Sequence, residues 1–318
     1  RGITRFFQHL CQRDLLFRQM QRVRRRSPIR CRVLRHADPQ RLQGLDLSSW
    51  RYAANGAEPV AAETLARFAA AFRPYGFRGE ALTPVYGLAE CSVGLAVGPP
   101  GRGPVIDHVQ REALAAGEAL PAADDDDNAV RLVACGIPLP GHEVRVVDEA
   151  GVELPPRRVG RIEFRGPSAT RGYYRNEEAT ARLIRGGWLD SGDLGYLAEG
   201  DIVLTGRLKD IIIRKGENIS AKELEDMLFR HPAIADVAVI GLPDAASGER
   251  ACAVVQTAPG ADPITFEAMV DYLRTEGLMV QKLPEQIEHV DVIPRNPAGK
   301  ILKQDLKKQY EGSAPTRK

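Results

Sequence analysis

Gly206-Arg207-Leu208-Lys209-Asp210-Ile211-Ile212-Ile213-Arg214-Lys215-Gly216-Glu217-Asn218-Ile219 is the stretch on which the architecture turns. Ile211-Ile212-Ile213, β-branched throughout, reads as a buried strand. Ser220 then reads as a helix N-cap, with Glu223 at the spacing of a capping box. That helix runs to Phe229 and stops before Pro232. Residues 237–240, 252–255 and 287–293 read as strands and 266–274 as a helix. Residues 209–318 thus form an α+β pattern of ordinary domain size, with its boundary at Lys209.

Upstream the style differs. Residues 48–54 read as a strand. Residues 63–72 read as a helix with Leu65, Phe68, Ala69 and Phe72 on one face, and 81–86 as a second strand, a βαβ-like unit. Residues 98–130 are loop-rich, with a short helix at 110–119. The aspartate run 124–127 fails as a calcium loop: Ala129 stands where glycine is needed and Cys135 where glutamate is needed. Strands at 144–147, 160–165 and 201–205 alternate in polarity and point to a small barrel or distorted sheet. The division is 1–41, irregular and arginine-rich; 42–208, α/β followed by the barrel-like part; and 209–318.

Composition excludes several classes. The chain has 318 residues, a formal net charge of +2 and 43% apolar residues, enough for two cores. The run Arg22, Arg24, Arg25, Arg26, Arg30, Arg32 and Arg35 can bind nucleic acid, but a solvated face or arm is the reading preferred, and no nucleic-acid partner is expected. The cysteines (Cys11, Cys31, Cys91, Cys135, Cys252) make no Cys-x-x-Cys, which suits a reducing cytoplasm. The histidines lack zinc-ligand spacing. No apolar run is long enough to span a membrane.

Four segments carry chemistry. In Ser191-Gly192-Asp193-Leu194-Gly195 a carboxylate stands among glycines, which let backbone approach a ligand; Asp193 can accept hydrogen bonds from both hydroxyls of a ribose. Arg207 lies across a candidate strand and can sit beside it; a plain Asp–Arg pair is the bland alternative. In Tyr86-Gly87-Leu88-Ala89-Glu90 the tyrosine can stack on a purine and Glu90 can help hold Mg²⁺ near phosphates. In Asn296-Pro297-Ala298-Gly299-Lys300-Ile301-Leu302, Lys300 is an ammonium point charge on a turn, able to bridge a carboxylate and a phosphate.

Together and in this order these segments resemble the adenylate-forming, AMP-binding superfamily of acyl-CoA synthetases and fatty acyl-AMP ligases. The resemblance implies the fold: the C-terminal part of a large α/β domain with a small β-barrel lobe, followed by a mobile α+β domain. It implies that Asp193 holds the ribose, that Arg207 contacts the ribose and phosphate side of ATP or AMP, and that Asn55, Gly56, Ala57 and Glu58 line the adenine. Tyr86, Gly87 and Glu90 complete the nucleotide site, with Mg²⁺ at Glu90. Lys300 is the catalytic lysine, Lys209 the hinge, and Gly216 belongs to the loop that admits a pantetheine arm. Ala89 departs from the threonine of many members and matches fatty acyl-AMP ligases.

The resemblance covers residues 42–310 and matches the back half of a longer enzyme; residues 1–35 are left outside it. The phosphate-gripping loop is missing, and no Gly-x-x-x-x-Gly-Lys-Ser/Thr motif occurs. The implied activity of the complete enzyme is ATP-dependent conversion of a fatty acid or other carboxylic acid to an acyl-adenylate, then transfer to CoA. One alternative is an acyl-AMP ligase loading the phosphopantetheine of an acyl carrier protein. Another is a non-catalytic remnant retaining at most nucleotide binding. The chain alone is expected to be inactive. Residues 107–114 and 135–141 resemble acyl-AMP ligases, whereas 214–225 and 241–244 resemble acyl-CoA synthetases.

Overall fold

The computed structural model describes residues 42–316, apart from 57–59, 124, 127, 216 and 297–298. The arginine-rich stretch, Ala57, Glu58 and Gly216 lie outside the described residues.

β1 (Ala53–Asn55) pairs in parallel with β2 (Leu82–Tyr86), and α1 (Ala62–Phe72) crosses between them. The first strand is shorter than its sequence suggests. Trp50 N–H donates to Leu47 O and the Trp50 indole to Tyr52 O, so this backbone is spent on a turn. α1 buries Leu65 and Phe72; the Phe68 ring stacks at 4.7 Å on Phe72 and meets Phe77 edge-on at 5.3 Å. Such aromatic pairs add about 0.5–1.5 kcal/mol beyond area burial. β3 (Ala96–Val97) pairs with β2. β4 (Ile106–Val109) and β5 (Val130–Val133) form a separate antiparallel pair, with α2 (Arg111–Ala115) between them in sequence. β6 (Ile137–Pro138) returns to β3, giving the order β1-β2-β3-β6. The helix expected over 110–119 is only α2, because Gly117 takes a left-handed φ of 85° and ends it.

The second sheet is antiparallel. It contains β7 (Glu143–Val147), β8 (Gly160–Arg165), β9 (Ile184–Arg185), β10 (Trp188–Ala198) and β11 (Asp201–Arg207), in the order β11-β10-β8-β7 with β9 also on β10. α3 (Glu177–Leu183) precedes β9; Asn176 caps it by accepting from Ala179 N–H at 3.0 Å. Ile162, Phe164, Leu189 and Ile202 are buried in one cluster with Tyr86 and Cys91, which welds this sheet to the first. β10 slips register between Asp190 and Leu194 against β8, and between Leu194 and Gly195 against β11. Such bulges re-aim side chains, and Asp193 lies within the first of these slips, just before the second.

A single 3₁₀ turn, Leu208–Asp210, leads into the third layer. This is β12 (Ile211–Arg214), β13 (Glu217–Ser220), α4 (Ala221–Leu228), β14 (Ile234–Asp244), β15 (Gly248–Thr257), α5 (Phe266–Thr275), β16 (Gln286–His289) and α6 (Lys303–Tyr310). The sheet order is β13-β12-β15-β14, with β16 parallel to β15. Its apolar run is continuous because both faces are covered. Val237, Val239, Ala251, Ala253 and Val255 cluster with residues of α4 and α5, whereas Ala238, Ile240, Cys252 and Val254 pack with Leu306 and Tyr310 of α6. The Ile211–Ile213 strand alternates rather than being buried throughout: Ile212 is buried and Ile213 is 55% exposed. Ser220 does cap α4, accepting from Glu223 N–H at 3.3 Å. The Glu223 carboxylate, however, is taken up in ion pairs with Arg111 and Lys282. No helix among the described residues is long and apolar enough to cross a membrane.

Candidate active site

Asp193 is the centre of the arrangement. It faces Arg207 directly across the β10–β11 ladder. Arg207 Nε donates to Asp193 Oδ1 at 3.0 Å, and the Tyr86 hydroxyl donates to Oδ2 at 2.7 Å. Asp193 is buried, whereas the Arg207 side chain is 41% exposed. An ionised carboxylate accepts about four hydrogen bonds, so acceptor capacity remains for hydroxyls of a ligand. The turn is preset: Gly192 N–H donates to Asp190 Oδ1, Asp193 N–H to Ser191 Oγ, and Ser191 Oγ–H to Ile162 O.

Tyr86 does not offer a free stacking face. Its ring is buried in the core cluster, and what reaches the site is its hydroxyl. Burial and the negative charge of Asp193 push that hydroxyl well above the ordinary tyrosine value, so it remains a donor. Gly87 is required by close approach: a Cβ there would lie 1.8 Å from Val93 O. Gly56 likewise sits against Val85, whose carbonyl a Cβ would meet at 2.6 Å. Asn55 ends β1 opposite Pro84, on the strand beside Tyr86.

Glu90 lies in the 3₁₀ turn that follows Tyr86-Gly87. Its backbone carbonyl accepts from Thr170 N–H at 2.7 Å, and its Oε1 accepts from the Tyr173 hydroxyl at 2.7 Å. The bond to Glu90, with partial burial, pushes Tyr173 up to about 12. Glu90, Tyr173, Arg182, Ser191 and Gly192 share a crevice of about 310 Å³. The structure therefore brings the Tyr86–Glu90 and Ser191–Asp193 segments together. Glu90 suits the sparse protein ligation of Mg²⁺, which uses one or two carboxylates plus substrate phosphates. No cluster of three or more His, Cys, Asp or Glu able to hold a metal occurs among the described residues.

Lys300 is elsewhere. It is exposed on the turn before α6, and its ammonium has no ion-pair partner among the described residues. A cleft of about 1530 Å³ separates the second sheet and the β4–β5 pair from the third layer; Leu194, Thr205, Asn218 and Lys222 line it. Lys300 lines neither this cleft nor the Glu90 crevice. Lys209 sits in the 3₁₀ turn between β11 and β12. Across the cleft, Arg111 Nη1 pairs with Glu223 Oε1 at 3.1 Å, while Lys282 Nζ, on the same side as Glu223, pairs with Glu223 Oε2 at 2.8 Å.

The Tyr86–Asp193 and Tyr173–Glu90 bonds join residues 107 and 83 positions apart, and nothing local in sequence marks them. The Asp193–Arg207 pairing was readable from a turn, a strand and an arginine in succession.

The chain belongs to the AMP-binding enzyme family: the family's model matches residues 2–174, and that of the AMP-binding enzyme C-terminal domain matches residues 223–300. The first match takes in the arginine-rich stretch that the sequence reading leaves outside the resemblance. A long-chain-fatty-acid–CoA ligase of Escherichia coli (strain CFT073) is 30% identical over 85% of this chain and 42% of its own length. ScoC of Streptomyces coeruleorubidus, a fatty acid–acyl-carrier-protein ligase, is 36% identical over 61% of this chain and 37% of its own. A solved structure from work on fatty acyl-adenylate ligases of E. coli and L. pneumophila superposes with a TM-score of 0.77 at 31% identity, over 89% of this chain and 51% of that one. The chain thus spans about half the length of the relatives it matches.

Proposed function

We propose that this chain is the nucleotide-holding and lysine-bearing portion of an acyl-activating ligase, whose complete form joins a fatty acid to AMP and passes the acyl group to CoA. The observation that carries this reading is Asp193, held from two sides by Tyr86 and Arg207, at the edge of the crevice that Glu90 lines. Asp193 accepts the ribose hydroxyls. Arg207 keeps its Nε on Asp193 and turns its exposed terminal nitrogens to the phosphate side. Asn55 and Gly56, with Ala57 and Glu58, belong to the adenine side. Mg²⁺, when bound beside Glu90, would offset phosphate charge.

Adenylation forms a bond from a carboxylate oxygen to the α-phosphorus and breaks the bond to pyrophosphate. Lys300 places its ammonium where charge accumulates on those oxygens. A charge aimed at the transition state is worth about 10²–10³ in rate. Since Lys300 stands away from the crevice here, it arrives by rotation of the third layer about Lys209, in the 3₁₀ turn. The same rotation withdraws it and admits a thiol past the Gly216 loop.

The acceptor divides the relatives: one of those above takes CoA in its name and the other a carrier protein. Acceptor choice depends on the layer that rotates, and residues 214–225 favour CoA. The chain alone does not adenylate, because its sequence holds no phosphate-gripping loop. Two assays test this. Pyrophosphate exchange by the purified chain with a fatty acid should be at background, and clear exchange contradicts the division of labour. A full-length form given acyl substrate, ATP and either acceptor should acylate CoA; acylation of the carrier alone overturns the acceptor choice.

A further inference from the structure

From sequence, Lys300 follows a glycine on a Pro-Ala-Gly turn. The described residues on either side of positions 297 and 298 are tied together by hydrogen bonds. Asn296 N–H donates to Lys300 O, Gly299 N–H to Asn296 O, and Lys300 N–H to Asn296 Oδ1, each at 2.9 Å. Arg295 and Ile301 form an antiparallel bridge, and Leu302 N–H donates to Pro294 O at 2.9 Å.

Arg295 ties these residues to the sheet. Its Nη1 donates to Gly299 O at 2.8 Å, next to Lys300. Its Nη2 reaches both oxygens of Asp236, at 3.2 and 2.9 Å. Both side chains are nearly buried, at 8% and 12% exposure. Asp236 lies on β14 at a register slip, between its neighbours' pairings Ile234–Thr257 and Val237–Val255. A bulge at this point re-aims the carboxylate. Charge-assisted hydrogen bonds in a water-poor setting are among the stronger polar contacts, and a planar guanidinium loses little further freedom in making them.

We propose that Arg295, braced by Asp236, is a positioning residue for Lys300: it makes residues 295–296 and 299–301 a rigid part of the C-terminal sheet. Lys300 then does not swing on its own loop. Its ammonium travels only when the whole layer turns, and it arrives with its backbone already fixed. Preorganisation of this kind is what lets a single charge act on a transition state without reordering first. The inference rests on the reading of Lys300 given above, but the clamp itself is a property of the free chain.

Amide hydrogen exchange on the full chain tests it. In the wild type, peptides covering 294–302 should be protected. In Arg295→Gln, exchange at Asn296, Gly299 and Lys300 should accelerate by about tenfold or more, as expected for local opening, while peptides from β14, β15 and α5 keep their rates. Asp236→Asn should give a smaller acceleration at the same amides. Arg295→Lys, which keeps a charge beside Asp236 but loses the fork, should restore part of the protection. Unchanged exchange at 294–302 in a folded Arg295→Gln chain overturns the proposal. If that variant does not fold, wild-type rates in both Asp236→Asn and Arg295→Lys overturn it as well. Full activity of a Lys300→Ala complete enzyme would instead remove the catalytic reading and leave the clamp standing.

Discussion

Asp193 and Arg207 are direct cross-strand partners on β10 and β11, joined by an Nε-to-Oδ1 hydrogen bond of 3.0 Å. The pairing does two jobs. It holds the carboxylate against the sheet, and it anchors through Nε a guanidinium whose side chain is 41% exposed. Lysine cannot do both, having one ammonium and no fork. Arg207→Lys should therefore weaken binding of an acyl-adenylate mimic by about tenfold, near 1.4 kcal/mol, while the melting temperature stays close to that of the wild type. Calorimetric titration of both proteins checks this; equal affinities would show that Arg207 serves Asp193 alone.

Tyr86→Phe removes one hydroxyl and leaves the buried ring in place. The lost bond is to a charged acceptor, so a loss of about 1–3 kcal/mol of stability is expected. Urea unfolding of the two chains measures it. A variant as stable as the wild type would mean that Asp193 finds another donor at once.

Leu224 is fully buried on α4 against the third sheet. Leu224→Ala should cost about 2–5 kcal/mol, the range for large-to-small changes in a packed core. Denaturant titration followed by the amide signal of this layer reads the loss. A change under 1 kcal/mol would contradict the packing described.

His231 follows α4, accepts from Ala233 N–H at 3.2 Å through Nδ1 and meets the Tyr272 ring edge-on. Burial holds its pKa below the ordinary 6.5, favouring the neutral ring. The stability it contributes is present above pH 6.5 and lost as pH falls through the lower folded value. Wild type should therefore lose more stability between pH 7.5 and 5 than His231→Asn. Parallel unfolding curves at the two pH values check this, and identical losses would contradict it.

What could be read beforehand was local. A serine before an amphipathic run caps α4, and three-four spacing puts Leu65 and Phe72 inside α1. The ladder partners Asp193 and Arg207 are close in sequence, so a strand and a turn predict their meeting. Distant contacts had no such signal. Tyr86 reads as a stacking ring until the tertiary fold buries it and leaves only its hydroxyl on Asp193. Glu223 has capping-box spacing, yet its carboxylate goes to Lys282 within its own layer and to Arg111 across a cleft that no segment reveals alone. Ile213 belongs to an all-isoleucine run but faces solvent, because alternation on a strand outranks composition.

The central claim is that Asp193 and the crevice beside it hold the nucleotide half of an acyl-adenylate. The most direct measurement is calorimetric titration of the chain with a non-hydrolysable acyl-AMP mimic, repeated with Asp193→Ala. Saturable one-to-one binding that Asp193→Ala abolishes, in a variant that remains folded, is the predicted result. No binding to the wild-type chain, or equal binding to both, would contradict the account.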